Sequence, residues 1–245
     1  MTDRTILRIS GPDARDFLQG LITNDIAKTR DGLVYAALLT PQGKFIADFF
    51  VEARDDAFLI DVATSHAALL AQRLSMYKLR AAVEIEETAW MLSRGTGDAP
   101  DDALPDPRHP GMGWRLISPR DVSDDTDWDA LRVAHLIPET GIELTPDTYI
   151  LEAGFERLNG VDFRKGCYVG QEIAARMKHK TELKKGLIAV NITGDAEPGA
   201  EITSDGKPTG TLFTRSGDQA LAHVRFDRAE GEMTAGLATL SRRND

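Results

Sequence analysis

Two nearly unbroken apolar runs, Leu33 to Leu39 and Phe45 to Val51, are separated only by Thr40, Pro41, Gln42, Gly43 and Lys44. Short apolar runs joined by Pro and Gly predict a tight antiparallel hairpin. A chain that carries it must build a sheet, and the neighbouring segments supply strands at Thr5 to Ile9 and Phe58 to Val62. Ser10 or Gly11 can cap a short helix with Pro12 in its first turn and Gly20 at its end. Thr64 is placed to cap a helix reaching Tyr77, with Leu69, Leu70, Leu74 and Tyr77 on one side. Strands are expected around Ala82 to Ile85, Trp90 to Leu92 and Trp114 to Ile117, while residues 93 to 111 carry loop chemistry. Thr126 to Leu136 and Tyr149 to Leu158 read as helices, stopped by Pro138 and by Asn159 and Gly160. From Gly186 onward, apolar runs (Leu187 to Ile192, Leu212 to Thr214, Ala220 to Phe226) alternate with turns such as EPG, SDG and RSGD. That pattern predicts a small β-barrel or sandwich, and the whole an α+β chain.

At 245 residues with 42% apolar content, the chain can fill real cores. The start, MTDRTILRIS, has no basic stretch leading into an apolar one, and nowhere do eighteen apolar residues run together, so no membrane association is expected. One cysteine cannot form an internal disulfide, nor alone supply a zinc or iron-sulfur cage. No metal centre is therefore expected, and a reducing compartment, the cytoplasm, is. The net charge of −10 disfavours nucleic acid as a partner. It is unevenly spread: residues 98 to 129 hold nine Asp against three Arg, whereas Arg164 to Lys185 holds seven Lys and Arg against Glu172 and Glu182. The second stretch reads equally as a solvated helix face or as an anion-binding patch.

The lone cysteine lies in Lys165 to Glu172, KGCYVGQE. Gly166 and Gly170 let the backbone turn sharply on both sides of Cys167, and QEIAARMK then offers good helix formers. Cys167 is thus expected just before a helix N-terminus, where the dipole, Lys165 and Arg164 favour a thiolate. The other reading is a small buried hydrophobe, the commoner state of lone cysteines. No histidine is spaced to pair with it as a base. In LQGLITND, Asn24 and Asp25 suit local turns and caps. The two cations of YKLR complement the end of the preceding helix.

As a set, and in this order, LQGLITND, LLTPQGKFIADFFV, YKLRAAVEI and LNGVDFRKGCYVGQEIAARM resemble the YgfZ family over about the whole chain. KGCYVGQE is the most specific element of the likeness. The family is similar in fold to the folate-dependent T protein of the glycine cleavage system and includes a mitochondrial iron-sulfur assembly factor. The resemblance implies a three-part, ring-like folate-binding fold. Residues 1–48 with 120–183 would form the folate-binding region, 49–119 a ferredoxin-like α+β region, and 184–245 the barrel. It also implies tetrahydrofolate as cofactor and a function in assembling or repairing iron-sulfur clusters, with iron-sulfur enzymes or assembly proteins as clients. Cys167 would be the working thiol. Lys165, Gly166, Tyr168, Gly170, Gln171 and Glu172 are the accompanying signature residues, and Asn24, Asp25 and Glu152 are candidates near the folate. The alternative is a folate-dependent one-carbon (aminomethyl) transferase or demethylase. Two stretches depart from the family pattern. His179, Lys180 and Thr181 stand where it shows His-Arg-Gly, and Ile150 and Leu151 stand where it places a Pro before Glu-Ala.

Overall fold

In the computed structural model, which describes residues 3–180 and 182–243, β1 (Arg4–Ser10) leads through a short helix, α1 (Ala14–Gln19), into the hairpin of β2 (Val34–Leu39) and β3 (Phe45–Arg54). β4 (Ala57–Ala63), the helix α2 (Thr64–Lys78) and β5 (Glu84–Glu87) complete an antiparallel sheet in the order β2-β3-β4-β1-β5. The predicted hairpin and flanking strands are all present.

Alternation along these strands sorts their side chains by face. Leu7, Ile9, Val34, Ala36, Leu38, Ala47, Phe49, Val51, Ile60 and Val62 share one core with Leu18 of α1 and with Leu70 and Leu74 of α2. The intervening residues include Tyr35, Asp48, Phe50 and Asp61, which are also buried. Register sets Tyr35 opposite Phe50 and Phe50 opposite Asp61. Two expectations for α2 are corrected. Leu69 points outward, because it lies across the helix from Leu70 and Leu74. Ala63, not Thr64, occupies the N-cap, and Thr64 Oγ1 instead meets Thr5 Oγ1 at 2.9 Å.

β6 (Met91–Gly95), β7 (Leu104–Pro105) and β8 (Trp114–Ser118) form a small sheet in the order β6-β8-β7. The Asp-rich stretch around it is turn and cap chemistry. Asp124 accepts from the Thr126 hydroxyl and from the N–H groups of Thr96 and Gly97, which holds its carboxyl at about 2. Asp127 accepts from Ala130 N–H at 3.0 Å and caps α3 (Trp128–Ala134). The helix expected over Tyr149–Leu158 does not form. Gly154 adopts φ 80° in its middle, so the segment is a run of turns, Glu152 N–H donating to Tyr149 O and Gly154 N–H to Leu151 O.

Past α4 (Gln171–Lys180), the strands β9 (Lys185–Thr193), β10 (Glu201–Ser204), β11 (Lys207–Ser216), β12 (Gln219–Arg225), β13 (Met233–Ala235) and β14 (Ala238–Arg242) close into the predicted barrel. Its order is β10-β11-β12-β9-β14-β13, around Val190, Ile202, Leu212, Val224, Met233 and Leu240. Arg132 of α3, buried, donates to Glu143 Oε2 at 2.9 Å and to Thr214 Oγ1 of β11 at 2.7 Å, while Thr214 donates to Glu143 Oε1 at 2.6 Å. Contacts divide the chain into Met1–Thr126 with Phe155–Ala175, and Asp127–Gly154 with Arg176–Asp245. This differs from the three-part division expected. A boundary at 48/49 falls inside β3, whose pairing with β2 and β4 keeps both sides of it in one sheet. The Arg132 cluster joins residues 127–154 to the barrel.

Candidate functional site

Three of the sequence segments meet in the first unit. Thr23 Oγ1 donates to Gly160 O at 2.7 Å and accepts from Ala37 N–H, so LQGLITND is stitched both to LNGVD and to the hairpin. Asn24 is buried and donates through Nδ2 to Tyr35 O at 2.9 Å and Asn159 O at 2.6 Å. Its Oδ1 accepts from Asp25 N–H and Lys28 Nζ, so both donors and both acceptor positions are used. Asp25 caps the 3₁₀ turn Ile26–Arg30 by accepting from Ala27 N–H. The local reading holds for Asp25, whereas Asn24 spends both carboxamide donors on the distant carbonyls of Tyr35 and Asn159, which leaves neither for a ligand.

The signature segment is clamped to the same place. Lys165 Nζ donates to Gln19 O at 2.5 Å and Ile22 O at 2.6 Å, and Gln19 Nε2 returns a bond to Lys165 O at 3.1 Å. Gly166 (φ 98°) and Gly170 (φ 82°) take conformations that side chains rarely adopt. Gly170 also has no room for one: a Cβ there would lie 2.6 Å from Thr40 O in the hairpin turn. Gln171 N–H donates to Tyr168 O, and Gln171 Oε1 accepts from Tyr168 N–H, a reciprocal lock that opens α4. Cys167, between these fixed points, is exposed and stands a turn ahead of the helix, as expected. Glu172 is exposed in the first turn of α4, the end that suits a carboxylate. Tyr168 is buried and its hydroxyl has no hydrogen-bond partner among the described residues; burial pushes its pKa up to about 12.

Lys165 gives a testable titration. Burial lowers its pKa to about 8, against a smaller upward pull from Asp25 and Asp162. In the folded chain it therefore releases its proton before it would unfolded, so this group's contribution to stability rises with pH between about 8 and 10.5. The neutral amine still has two N–H donors for its two carbonyls. Carbon NMR of ε-labelled lysines is expected to find one side chain titrating near 8 that disappears in Lys165→Met. Its absence would contradict the desolvated clamp.

Glu152 lies in the second unit. It is 9% exposed, and among the described residues its carboxylate pairs with Lys185 Nζ at 3.5 Å and His223 Nε2 at 3.6 Å and makes no hydrogen bond. It borders a cavity of about 290 Å³ lined also by Met177, Leu183, Lys184 and Arg225. Among the described residues, no group of three or more His, Cys, Asp or Glu is placed to hold a metal ion. No helix there is long and apolar enough to cross a membrane.

The sequence reading missed the second face of the sheet. Tyr35 Oη donates to Asp48 Oδ2 at 2.9 Å, both buried, and Tyr35 is held well above its usual pKa by burial and then by Asp48. Asp61 pairs with Arg4 and Arg115, and Asp106 with Arg115 and Arg108. The signal was available: one Asp inside each of the apolar runs FIADFFV and FLIDV. An Asp is rarely buried unless paired.

Residues 2–92 match the family model described as GCVT N-terminal domain, and residues 184–244 the one described as CAF17, C-terminal beta-barrel domain. The mitochondrial iron-sulfur cluster assembly factor IBA57 of Mus musculus is 31% identical, over 94% of this chain and 78% of its own length. Its Homo sapiens counterpart is 28% identical over the same shares. The Neurospora crassa homolog is 33% identical over 77% of this chain, which spans about half of that protein (52%). The crystal structure of glycine cleavage system aminomethyltransferase T from Bartonella henselae superposes with a TM-score of 0.80, covering 98% of this chain and 83% of that one at 13% identity. This likeness shows the fold, as the sequence led us to expect. The cytoplasmic expectation does not stand, because these relatives are named as mitochondrial proteins. With a GCVT-like N-terminal part, a CAF17-type barrel and this degree of identity, the chain belongs to the CAF17/IBA57 family.

Proposed function

We propose that this protein assists the assembly or repair of iron-sulfur clusters in client enzymes, acts through the Cys167 thiol, and binds tetrahydrofolate. The observation that carries the reading is the placement of Cys167. It is exposed on a two-glycine segment that Lys165, Gly170 and Gln171 fix on either side. A thiol held this way can reach a partner while its backbone stays in register. One cysteine supplies one thiolate, so the other ligands of a cluster in transit come from the client or assembly protein. The names of the relatives support this function, and the likeness to the YgfZ family agrees with it.

One feature supports the folate. The Glu152 carboxylate is nearly buried and makes no side-chain hydrogen bond among the described residues, with Lys185 Nζ at 3.5 Å and His223 Nε2 at 3.6 Å beside it, so it can accept from the donor edge of a pterin. When bound, the folate supplies a one-carbon carrier. The chain's own contribution is to orient it.

Calorimetric titration with tetrahydrofolate is expected to give saturable binding by the wild type and by Cys167→Ala. Glu152→Gln should weaken it by about tenfold, since a charge-assisted bond becomes a neutral one. No binding by the wild type would remove the folate and leave the thiol function to stand alone. A one-carbon transferase is the second reading. It is favoured by Asp48, a buried carboxylate of the kind such an enzyme needs as a base. Turnover of a methylamine donor, with methylene-tetrahydrofolate formed, would establish it; Asp48→Asn should then abolish turnover.

A further inference from the structure

Helix α2 uses Ala67, Leu70 and Leu74 for the core, and its opposite side presents Leu69, Gln72, Arg73 and Met76, followed by Leu79 and Arg80 just past its end. Leu69, Met76 and Leu79 are 38%, 61% and 89% exposed. At about 1.5 Å of rise per residue, Leu69 and Met76 stand roughly 10 Å apart on one line of the helix. Leu79 is held out with φ 44°, a left-handed backbone that leucine rarely takes.

The charges on this side are equally unusual for the chain. It has 39 Asp and Glu, yet none falls between Val62 and Val83, where Arg73, Lys78 and Arg80 lie. Arg73 and Arg80 make no ion pair or side-chain hydrogen bond among the described residues. Lys78 and Arg80 complement the negative end of the helix dipole, but that accounts neither for Arg73 nor for the exposed apolar side chains.

We infer that this face of α2 docks an acidic partner protein, with Leu69, Met76 and Leu79 entering an apolar groove whose carboxylates meet Arg73, Lys78 and Arg80. Apolar anchors two turns apart suit a helix laid in a groove, and methionine suits an adaptable contact. Arg73 and Arg80, which pair with no acid among the described residues, stand with Lys78 on a chain of net charge −10 and set the sign of the partner. A lipid surface fits less well. The apolar strip is one residue wide and interrupted by Gln72 and Arg73, and the broad apolar face of the helix is buried in its own core.

The test places a photo-crosslinking residue at exposed Gln72 in the full chain, expressed in its own cells, and identifies the joined peptide by mass spectrometry. The identified protein is then purified and its affinity measured for wild type, Arg73→Glu with Arg80→Glu, and Leu69→Ser with Met76→Ser. All four positions are exposed, and circular dichroism checks that the variants fold. One partner is expected, joined through a segment where Asp or Glu borders apolar residues. Each double variant should weaken binding by about tenfold or more, and added salt should weaken the wild type in the same direction. The proposal is overturned by no adduct, by an adduct only with a second copy of this chain, or by an affinity that neither double variant changes. It is equally overturned if the wild type sediments with phosphatidylglycerol vesicles and gives no protein adduct.

Discussion

Asp61→Ala is expected to destabilise the first unit by about 3–5 kcal/mol, the usual effect of removing one partner from a buried ion pair. Asp61 is 1% exposed and serves two guanidinium groups. Arg4 donates to its Oδ1 at 2.6 Å and to its backbone oxygen at 2.7 Å, and Arg115 donates to Oδ2. Arg115 also reaches Asp106 at 3.2 Å, and Asp106 holds Arg108 at 2.8 Å. Arg115, Arg108 and Arg4 lie 3.7, 4.8 and 5.8 Å from the centroid of the Phe50 ring, so the aromatic face helps seat all three cations. Without Asp61, two of them lose their shared counter-charge inside the fold. Burial alone would raise the Asp61 pKa, but Arg4 and Arg115 more than offset it and hold it below 3.8. Its stabilisation is therefore full above the ordinary carboxylate value and is lost as pH falls through the lower folded one. Asp106, lowered in the same way against its own burial by Arg108 and then Arg115, acts in the same direction. Urea denaturation at neutral pH measures the difference, and acid titration should show a flatter loss for Asp61→Ala than for wild type. A change below about 1 kcal/mol, typical of a surface site, would contradict the network.

Cys167→Ser is expected to abolish cluster assembly while leaving stability within about 0.5 kcal/mol, as for other exposed positions. The two effects separate because none of the bonds that fix the segment involves the cysteine side chain. Lys165 holds one end through Gln19 and Ile22, the close approach of Gly170 to Thr40 holds the other, and Gln171 locks the helix start. Serine keeps the size but puts a hydroxyl in place of the sulfur to which the proposed function assigns the contact with iron. A folding defect would instead point to a structural cysteine.

Local chemistry explains what could be read without the fold. The hairpin was legible because Pro41 and Gly43 lie between two apolar runs, and the barrel because turn residues recur between short strands. KGCYVGQE was legible as a glycine-framed cysteine before a helix. What could not be read depended on distant pairing. Asp48 and Asp61 look like flaws in apolar runs until register brings Tyr35 across from Phe50 and Arg115 arrives from a strand far down the chain. Tyr149–Leu158 has helix-forming composition, but Gly154 in its middle takes φ 80°, which an α-helix does not accommodate. Leu69 passed for a core residue because its neighbour Leu70 is one. Lys165 reads in the sequence as a cation beside Cys167 that favours the thiolate, yet it spends both short bonds on backbone carbonyls of LQGLI.

The most direct measurement uses cells lacking this gene and assays a cluster-dependent enzyme after complementation with wild type or Cys167→Ser at equal protein levels. The wild type is expected to restore activity and Cys167→Ser to leave it at the level of the deletion. Full rescue by Cys167→Ser would contradict the assignment of the Cys167 thiol as the working group.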